Sequence, residues 1–500
     1  MRPTWLASRG TPSKGNMQLS HLISVLPRVR VRGDAKITGL CFDSRRVKRG
    51  DLFVALVGAN ADGHAFVPDA VASGAAAVLV ERAVPGINVP QVVVKDTREA
   101  LGKLSARFLN YPSRRLKVVG VTGTNGKTTT TYLIRAIVEA AGKKAGIIGT
   151  IAYSTGVEET EAVNTTPESL LTQQLLSEMV RAGMEYAVME VSSQALDQGR
   201  VNDVDFAAAV FTNLSREHLD YHKTMARYAR AKARLFALLP ENAVSVVNGD
   251  DRYAKIVVGD RRGVIRFGFK KGMDVRVVRC ETGVKGSRFS IVSPWGEMDL
   301  VTPLPGRHNV YNCVAAVSVA AALDIDCAAI ARGVAALSSV PGRLEPVDVG
   351  QKFAVFVDYA HTAVALENVL MTVRELTKHR VIVLFGCGGE RDKSKRRRMR
   401  VAAESLADHC VVTSDNPRGE DPKAIIDQVM RGAEDLSKFT VEIDRRVAIT
   451  RAIELARPGD LVLIAGKGHE TVQIFKDRRV RFDDREVARE VLRKAASSAP

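Results

Sequence analysis

Short, continuously apolar runs, separated by turns or by amphipathic stretches, recur along the whole chain. In the first hundred residues the runs LFVALVG (52–58), AAAVLV (75–80) and VPQVVV (89–94) alternate with turn-rich segments. A buried strand is expected over 117–122, then a Gly-rich turn, then a helix over 128–142 (TTTTYLIRAIVEAAG). Further on, FAVFVDYA (353–360), RVIVLFG (380–386), CVVTS (410–414) and DLVLIAG (460–466) read as strands parted by helical stretches. Apolar strands alternating with helices predict parallel sheets covered on both faces, an α/β fold. Three blocks are expected: 17–115, 116–342 and 343–500. The segment 111–115 (YPSRR) reads as a linker, because Pro112 restricts its neighbour and polar residues follow. Residues 1–16 are expected to be a loose tail or an over-extended start, since a structured pattern begins only at Met17.

Length and composition narrow the class. At 500 residues the chain exceeds one ordinary core, and its 46% apolar and 26% charged content suits a globular protein. No run approaches the ~18 apolar residues of a membrane span, and the first residues lack the apolar stretch of a signal peptide. A cytoplasmic protein without membrane insertion is expected. The net charge of +17 predicts anionic partners: nucleotides, acidic metabolites or nucleic acid. The densest basic run, 393–400 (KSKRRRMR), reads as a solvated helix face. Six cysteines stand apart with no C-x-x-C, as small core residues of a reducing compartment.

Two segments carry chemistry. Around Gly123-Thr-Asn-Gly-Lys127 the glycines let several N–H groups face one anion, and the following helix adds its N-terminal charge. Lys127 can reach β/γ-phosphates, and Thr128 can offer a hydroxyl to Mg²⁺. The strict phosphate-loop pattern wants Gly at 121, where this chain has Val121. In Thr224–Leu239 a helical period puts Arg227, Arg230 and Arg234 on one face. Lys232 falls on the other, among Met225, Tyr228, Leu235 and Phe236. An ammonium there must snorkel, pair or be modified. Upstream, Asn213–His222 is dense in acid–base groups, and Glu190 ends an apolar strand. Glu190, His218 and a modified Lys232 could build a metal site beside the phosphates.

Taken together, TGTNGKTT (122–129), MEVSSQAL (189–196), TNLSREHLDYH (212–222), RYARAKARLF (227–236), PLPGRHNVYN (303–312), VPGRLE (340–345) and DYAHT (358–362) resemble the Mur ligase family, in the family's order. Its members are ATP-dependent amide-forming enzymes of peptidoglycan precursor synthesis. The resemblance implies a small N-terminal α/β UDP-binding domain, a central parallel-sheet ATPase domain of phosphate-loop type and a C-terminal Rossmann-like domain. It implies an acyl-phosphate mechanism with Mg²⁺ and ATP as co-substrate. Lys127, Lys232 and His218 are then catalytic. Gly123, Thr124, Asn125, Gly126, Lys127, Thr128, Thr129, Asn309, Asn312, Arg343 and Asp358 bind ATP. Thr128, Glu190, His218 and Lys232, the last as a CO₂-derived carbamate, hold metal. Ala363 stands where the family usually has Pro after DYAHT.

The runs DSRRVKRGDLFVAL (43–56), ADGHAF (61–66) and NTTPE (164–168) resemble the branch that extends a UDP-muramoyl dipeptide. This implies Phe42, Ser44, Ala59, Asn60, Ala61, Asn164, Thr165, Thr166, Ser192, Gln198 and Arg200 at the UDP-linked substrate. Residue types alone also make NTTPE a good helix start. Three loops after C-terminal strands share the carboxyl edge of a sheet, where ligands bind. They bring Arg391, Asp415, Asn416, Arg418 and Glu470 together, and both charge signs suit an amino acid. The DNPR run (415–418), with Pro417, and Gly466 resemble the meso-diaminopimelate-adding enzymes. Expected partners are therefore the UDP-linked muramoyl dipeptide, diaminopimelate and ATP, with no nucleic acid, and the chain is expected to be a monomer. Rival readings are a folylpolyglutamate-type ligase, a nucleic-acid-dependent ATPase and a non-catalytic homologue.

Overall fold

The apolar runs of the first block pair side by side. The strands Gly39–Cys41, Asp51–Val54, Ala77–Val80 and Gln91–Val93 form a parallel sheet in that order. Helix Thr97–Phe108 covers one face, packing Ala100, Leu101 and Leu104 against Leu52, Val54 and Leu79. Asp96 caps it, accepting the amides of Arg98 and Glu99 at 2.8 and 2.9 Å. The computed structural model describes residues 16–27, 29, 31–58 and 61–497. Of the expected tail, residues 1–15 lie outside these.

The described residues gather into two compact units, one running to Phe267 with Ala315–Ile330, the other Gly268–Val314 with the chain from Ala331. In the first unit the linker is tied down. Tyr111 has φ +49 ahead of Pro112, and the Ser113 hydroxyl donates to Asp205 at 3.0 Å. The second sheet of this unit has six parallel strands in the order Ala145–Ile148, Tyr186–Glu190, Lys117–Thr122, Phe206–Phe211, Val244–Asn248, Val264–Gly268. Ala152–Ser154 and Glu159–Glu161 extend it antiparallel. Helix Lys127–Ala140 follows the central strand, and helix Ser169–Arg181 buries Leu175, Leu176 and Met179 in the same core. The expected start of that helix at NTTPE is corrected. The helix begins at Ser169, and no threonine caps it. Thr166 is held to the neighbouring strand instead, its hydroxyl donating to the Glu190 carbonyl at 2.9 Å.

The second unit carries an antiparallel meander, Val275–Gly283, Gly286–Ser293 and Gly296–Thr302. Its main sheet has the order Glu345–Pro346, Ala354–Asp358, Leu461–Ala465, Val381–Cys387, His409–Ser414, Phe439–Val441, all parallel but the first. Helices cover both faces, as two apolar cores show. The basic run 393–400 is not simply a solvated face. In helix Ser394–Leu406, Arg396 and Arg400 are buried. Arg396 donates to Gln428 at 2.6 Å and to Glu420 at 3.0 Å, and Arg400 pairs with Glu404. Ala363 is the first residue of helix Ala363–Leu376, capped by Thr362, so the missing Pro costs the turn little. All six cysteines are free thiols. Among the described residues no helix is long and apolar enough to cross a membrane.

Candidate active site

Strand Lys117–Thr122 runs through Val121, which is fully buried, so the turn occupies Gly123–Gly126. This is why Val121 is tolerated. Gly123 has φ +153, and a Cβ there would collide with the Thr212 hydroxyl; Gly126 has φ +84 and caps the helix. The turn is laced to Thr212–Ser215. The amides of Thr124 and Asn125 donate to the Asn213 carbonyl and side chain at 2.8 and 3.0 Å. The Thr212 hydroxyl donates to the Asn125 carbonyl at 2.6 Å. Thr128 and Thr129 are buried in the first helical turn.

Two lysines converge on this turn. Lys127 Nζ donates to the carbonyls of Gly123 and Thr124 at 3.0 and 2.9 Å. Lys232 Nζ donates to the same Gly123 carbonyl at 2.7 Å and lies 4.6 Å from the centre of the Tyr228 ring. Lys232 is 1% exposed, so it does not snorkel. Burial, and then the charge of Lys127, push its amine well below the usual lysine range. His218, at φ +55, stands edge-on to Tyr228 at 6.1 Å. Desolvation of its ring, with the charges of Lys127 and Lys232, holds it below the usual imidazole range, although much of the residue is exposed.

Glu190 ends its strand beside the turn and is 1% exposed. Its carboxylate accepts the Thr128 hydroxyl at 3.0 Å, the Thr150 amide at 2.8 Å and the Thr150 hydroxyl at 3.0 Å. Thr165 shares the Thr150 hydroxyl at 3.1 Å. Thr166 accepts the Ser192 amide at 3.0 Å, and Arg200 donates to the Thr166 carbonyl at 3.0 Å and to Gln198 at 2.7 Å. Glu168 joins Arg200 at 3.2 Å to Arg98 at 2.6 Å, so one carboxylate ties the two sheets of this unit. The Asn164 carbonyl takes the Tyr153 hydroxyl at 2.6 Å. Phe42 is partly exposed, and Ser44 opens a short turn capped by Asp43. Ala61 accepts the Gly58 amide at 2.9 Å; Ala59 and Asn60 lie outside the described residues.

In the second unit the expected loops do meet at the carboxyl edge. Asn416 donates to Glu470 at 2.9 Å. Arg418, at φ +52, donates through Nη1 to the Gly389 carbonyl at 2.9 Å. A Cβ at Gly388 would stand 2.9 Å from that Nη1 and 3.9 Å from Arg391 Cγ, so both arginines border one glycine turn. Asp415 and Pro417 are buried, and a Cβ at Gly466 would lie 2.9 Å from Asp415 Oδ2. Sequence reasoning missed Lys467. Its buried Nζ donates to Asn416 Oδ1 and Glu470 Oε2, both at 3.1 Å, and to the Val472 carbonyl at 2.6 Å. A lysine between two glycines carried no periodic signal. Also in this unit, Asn309 and Asn312 are buried and linked at 3.1 Å. Asp358 accepts the amides of Leu344 and Ala360 at 2.8 and 2.9 Å, and Arg343 lies 5.5 Å from the centre of the Tyr359 ring. Asp358 thus shapes the Arg343 turn.

The chain is similar to known proteins along most of its length. Three family models match in succession: "Mur ligase family, catalytic domain" over residues 36–109, "Mur ligase middle domain" over 121–320 and "Mur ligase, glutamate ligase domain" over 342–468. The chain is 46% identical over 466 residues to the UDP-N-acetylmuramoyl-L-alanyl-D-glutamate--2,6-diaminopimelate ligase of Syntrophomonas wolfei, covering 92% of this chain and 95% of that one. It is 46% identical over 490 residues to the ligase of the same name from Geobacillus thermodenitrificans, covering 95% and 99%. A solved structure of a ligase so named aligns with a TM-score of 0.68 at 34% identity, over 92% of this chain and 96% of that one.

Proposed function

The chain belongs to the Mur ligase family, and on that premise we propose that it is the ATP-dependent ligase that adds meso-2,6-diaminopimelate to UDP-N-acetylmuramoyl-L-alanyl-D-glutamate. The observation that carries this is 46% identity, over almost the full length, to ligases named for that reaction. The work is divided as 17–115 for the UDP end, 116–342 for ATP and 343–500 for the amino acid, in a monomer.

The chemistry follows from the residues. A substrate carboxylate oxygen attacks the γ-phosphorus of ATP and ADP leaves, giving an acyl phosphate. The amine of diaminopimelate then attacks the acyl carbon, phosphate departs and the nitrogen loses a proton. The Gly123–Gly126 amides and Lys127 hold the phosphates and oppose the charge of the transferring group. Glu190 and Thr128 offer hard oxygen donors around one buried carboxylate, which fits Mg²⁺, an ion commonly bound by one or two carboxylates plus substrate phosphates. Mg²⁺ there, and a second Mg²⁺ that His218 and Lys232 as its carbamate would hold, would neutralise phosphate charge. A buried amine next to another cation is disposed to be neutral, the form that adds CO₂. Arg391 and Arg418 suit the carboxylates of diaminopimelate, and Asp415 and Glu470 suit its ammonium groups.

The test supplies the purified protein with the UDP-dipeptide, ATP and either meso-diaminopimelate or L-lysine. ADP release and a product heavier by one diaminopimelate residue are expected. Faster ligation of lysine would overturn the amino-acid assignment, and ATP turnover driven by DNA or RNA alone would overturn the ligase reading.

A further inference from the structure

One cation of the second unit has no part in that scheme and stands where helix physics opposes it. Arg445 is the first residue of helix Arg445–Glu454. The N-terminal end of a helix carries partial positive charge and favours acids. The position is also dry: the side chains of Arg445 and its partner Asp484 are both 0% exposed. Such a pair is often no more stabilising than apolar packing of the same volume. Asp484 itself opens the last helix, Asp484–Ser497. It accepts the guanidinium as a fork, from Nε at 2.8 Å and from Nη2 at 2.7 Å. The guanidinium also donates to main chain, Nη1 to the Ser414 carbonyl at 3.2 Å and Nη2 to the Ala465 carbonyl at 3.1 Å.

Those two carbonyls end the strands His409–Ser414 and Leu461–Ala465. The next residues, Asp415 and Gly466, open the loops that carry the zwitterion-binding groups. The two strands are not neighbours. Val381–Cys387 runs between them, so they lie about 10 Å apart at the usual strand spacing. The middle strand pairs with Leu461–Ala465 only as far as Leu384, whereas it follows the other strand on to Gly389, whose amide donates to the Asn416 carbonyl at 3.0 Å; past Leu384 the Arg445 fork bridges the outer two. A Cβ at Gly466 would meet Asp415 Oδ2 at 2.9 Å and Arg445 Nη2 at 3.9 Å, so the loop base, the carboxylate and the guanidinium share one corner. Above it, Lys467 ties the same two loops through Asn416 and Glu470.

We propose that Arg445, anchored by Asp484, is a positioning residue: it sets the distance between the Asp415–Arg418 and Gly466–Glu470 loops and thereby the affinity for the incoming diamino acid. This rests on the amino-acid pocket assigned above. Steady-state kinetics with each substrate varied in turn test it. Arg445→Lys keeps the charge but cannot span both carbonyls and Asp484. It is expected to raise the KM for diaminopimelate about tenfold while the KM for ATP and for the UDP-dipeptide stay within about twofold. The double variant Arg445→Met/Asp484→Leu removes both charges together, which burial tolerates. It is expected to keep the melting temperature and show the same selective rise. A double variant with the parent's KM for diaminopimelate overturns the proposal. So does an equal rise for all three substrates, or failure of both variants to fold. If the unaltered protein does not ligate diaminopimelate, the underlying reading fails, not this one.

Discussion

Lys127 and Lys232 both donate to the carbonyl of Gly123, yet one lies 4 residues along the chain from it and the other 109. In the proposed mechanism the Lys127 charge acts on the transferring phosphoryl group. Lys127→Ala is expected to lower the rate of ADP release about 10²–10³-fold with an unchanged far-ultraviolet spectrum; activity near the parent's would remove Lys127 from that role. For Lys232→Ala a comparable loss is expected, with partial recovery on adding short carboxylic acids such as acetate or propionate. A variant that no carboxylate revives would exclude the carbamate. That Lys232 lies on the apolar face was legible, because a period of 3.6 sets it among Tyr228, Leu235 and Phe236; that it stays buried there instead of snorkelling was decided by folding. Its partner was not legible, since Gly123 lies 109 residues away and no local rule links them.

Helix Met225–Ala237, which presents Lys232, begins at Thr224, whose hydroxyl accepts the Arg227 amide at 3.2 Å. Thr224→Ala removes this cap at a cost of about 1 kcal/mol, a fall in melting temperature of roughly 2–4 °C for a domain of this size. Lys232 lies two turns further on, so kcat is expected to hold within about twofold. A thermal melt and the ligation assay check both parts; an unshifted melt would mean the cap is idle. This boundary was readable because Thr opens a clean amphipathic period. The start at NTTPE was not, although its composition suits a helix. There Thr166 and Arg200 form hydrogen bonds with groups outside the helix, and tertiary partners outbid the local cap. The basic run 393–400 errs in the same way, for Glu420 and Gln428 draw Arg396 inward.

Across the first unit, helix Thr97–Phe108 of the small sheet meets the chain after the larger sheet's Ser193–Asp197 turn. Asp203 sits at this seam beside a cavity of about 490 Å³ that Lys103, Tyr111, Arg114 and Asp205 help line. Asp203 Oδ2 is buried without a hydrogen-bond partner among the described residues. Burial pushes this carboxyl up to about 6. The folded protein therefore holds a proton that the unfolded chain releases nearer the model-peptide value of about 3.9, and stability falls as pH rises through that window. Asp203→Asn is expected to melt higher than the parent above pH ~6, with the advantage vanishing near pH ~4. Melting curves across that range decide it, and a constant offset would place the effect elsewhere. The seam could not be foreseen, since Gly102 and Asp203 meet only when the two sheets pack.

Strand periodicity, the Gly-Thr-Asn-Gly-Lys turn and the DNPR run, all local in sequence, by themselves determined the α/β class, the Gly-rich turn that opens a helix and the loops that meet at the carboxyl edge of the second unit's sheet. Each rests on backbone geometry or charge within a few residues, where pattern and physics coincide. Folding decided which groups share a dry space: the two lysines on one carbonyl, Glu190 among three threonines, Lys467 between its acceptors, and Arg445 clasping strands that are not neighbours. The reason is desolvation. A buried charge is tolerated only with partners, and those partners come from chain segments tens to a hundred residues apart that only the packed sheets bring together.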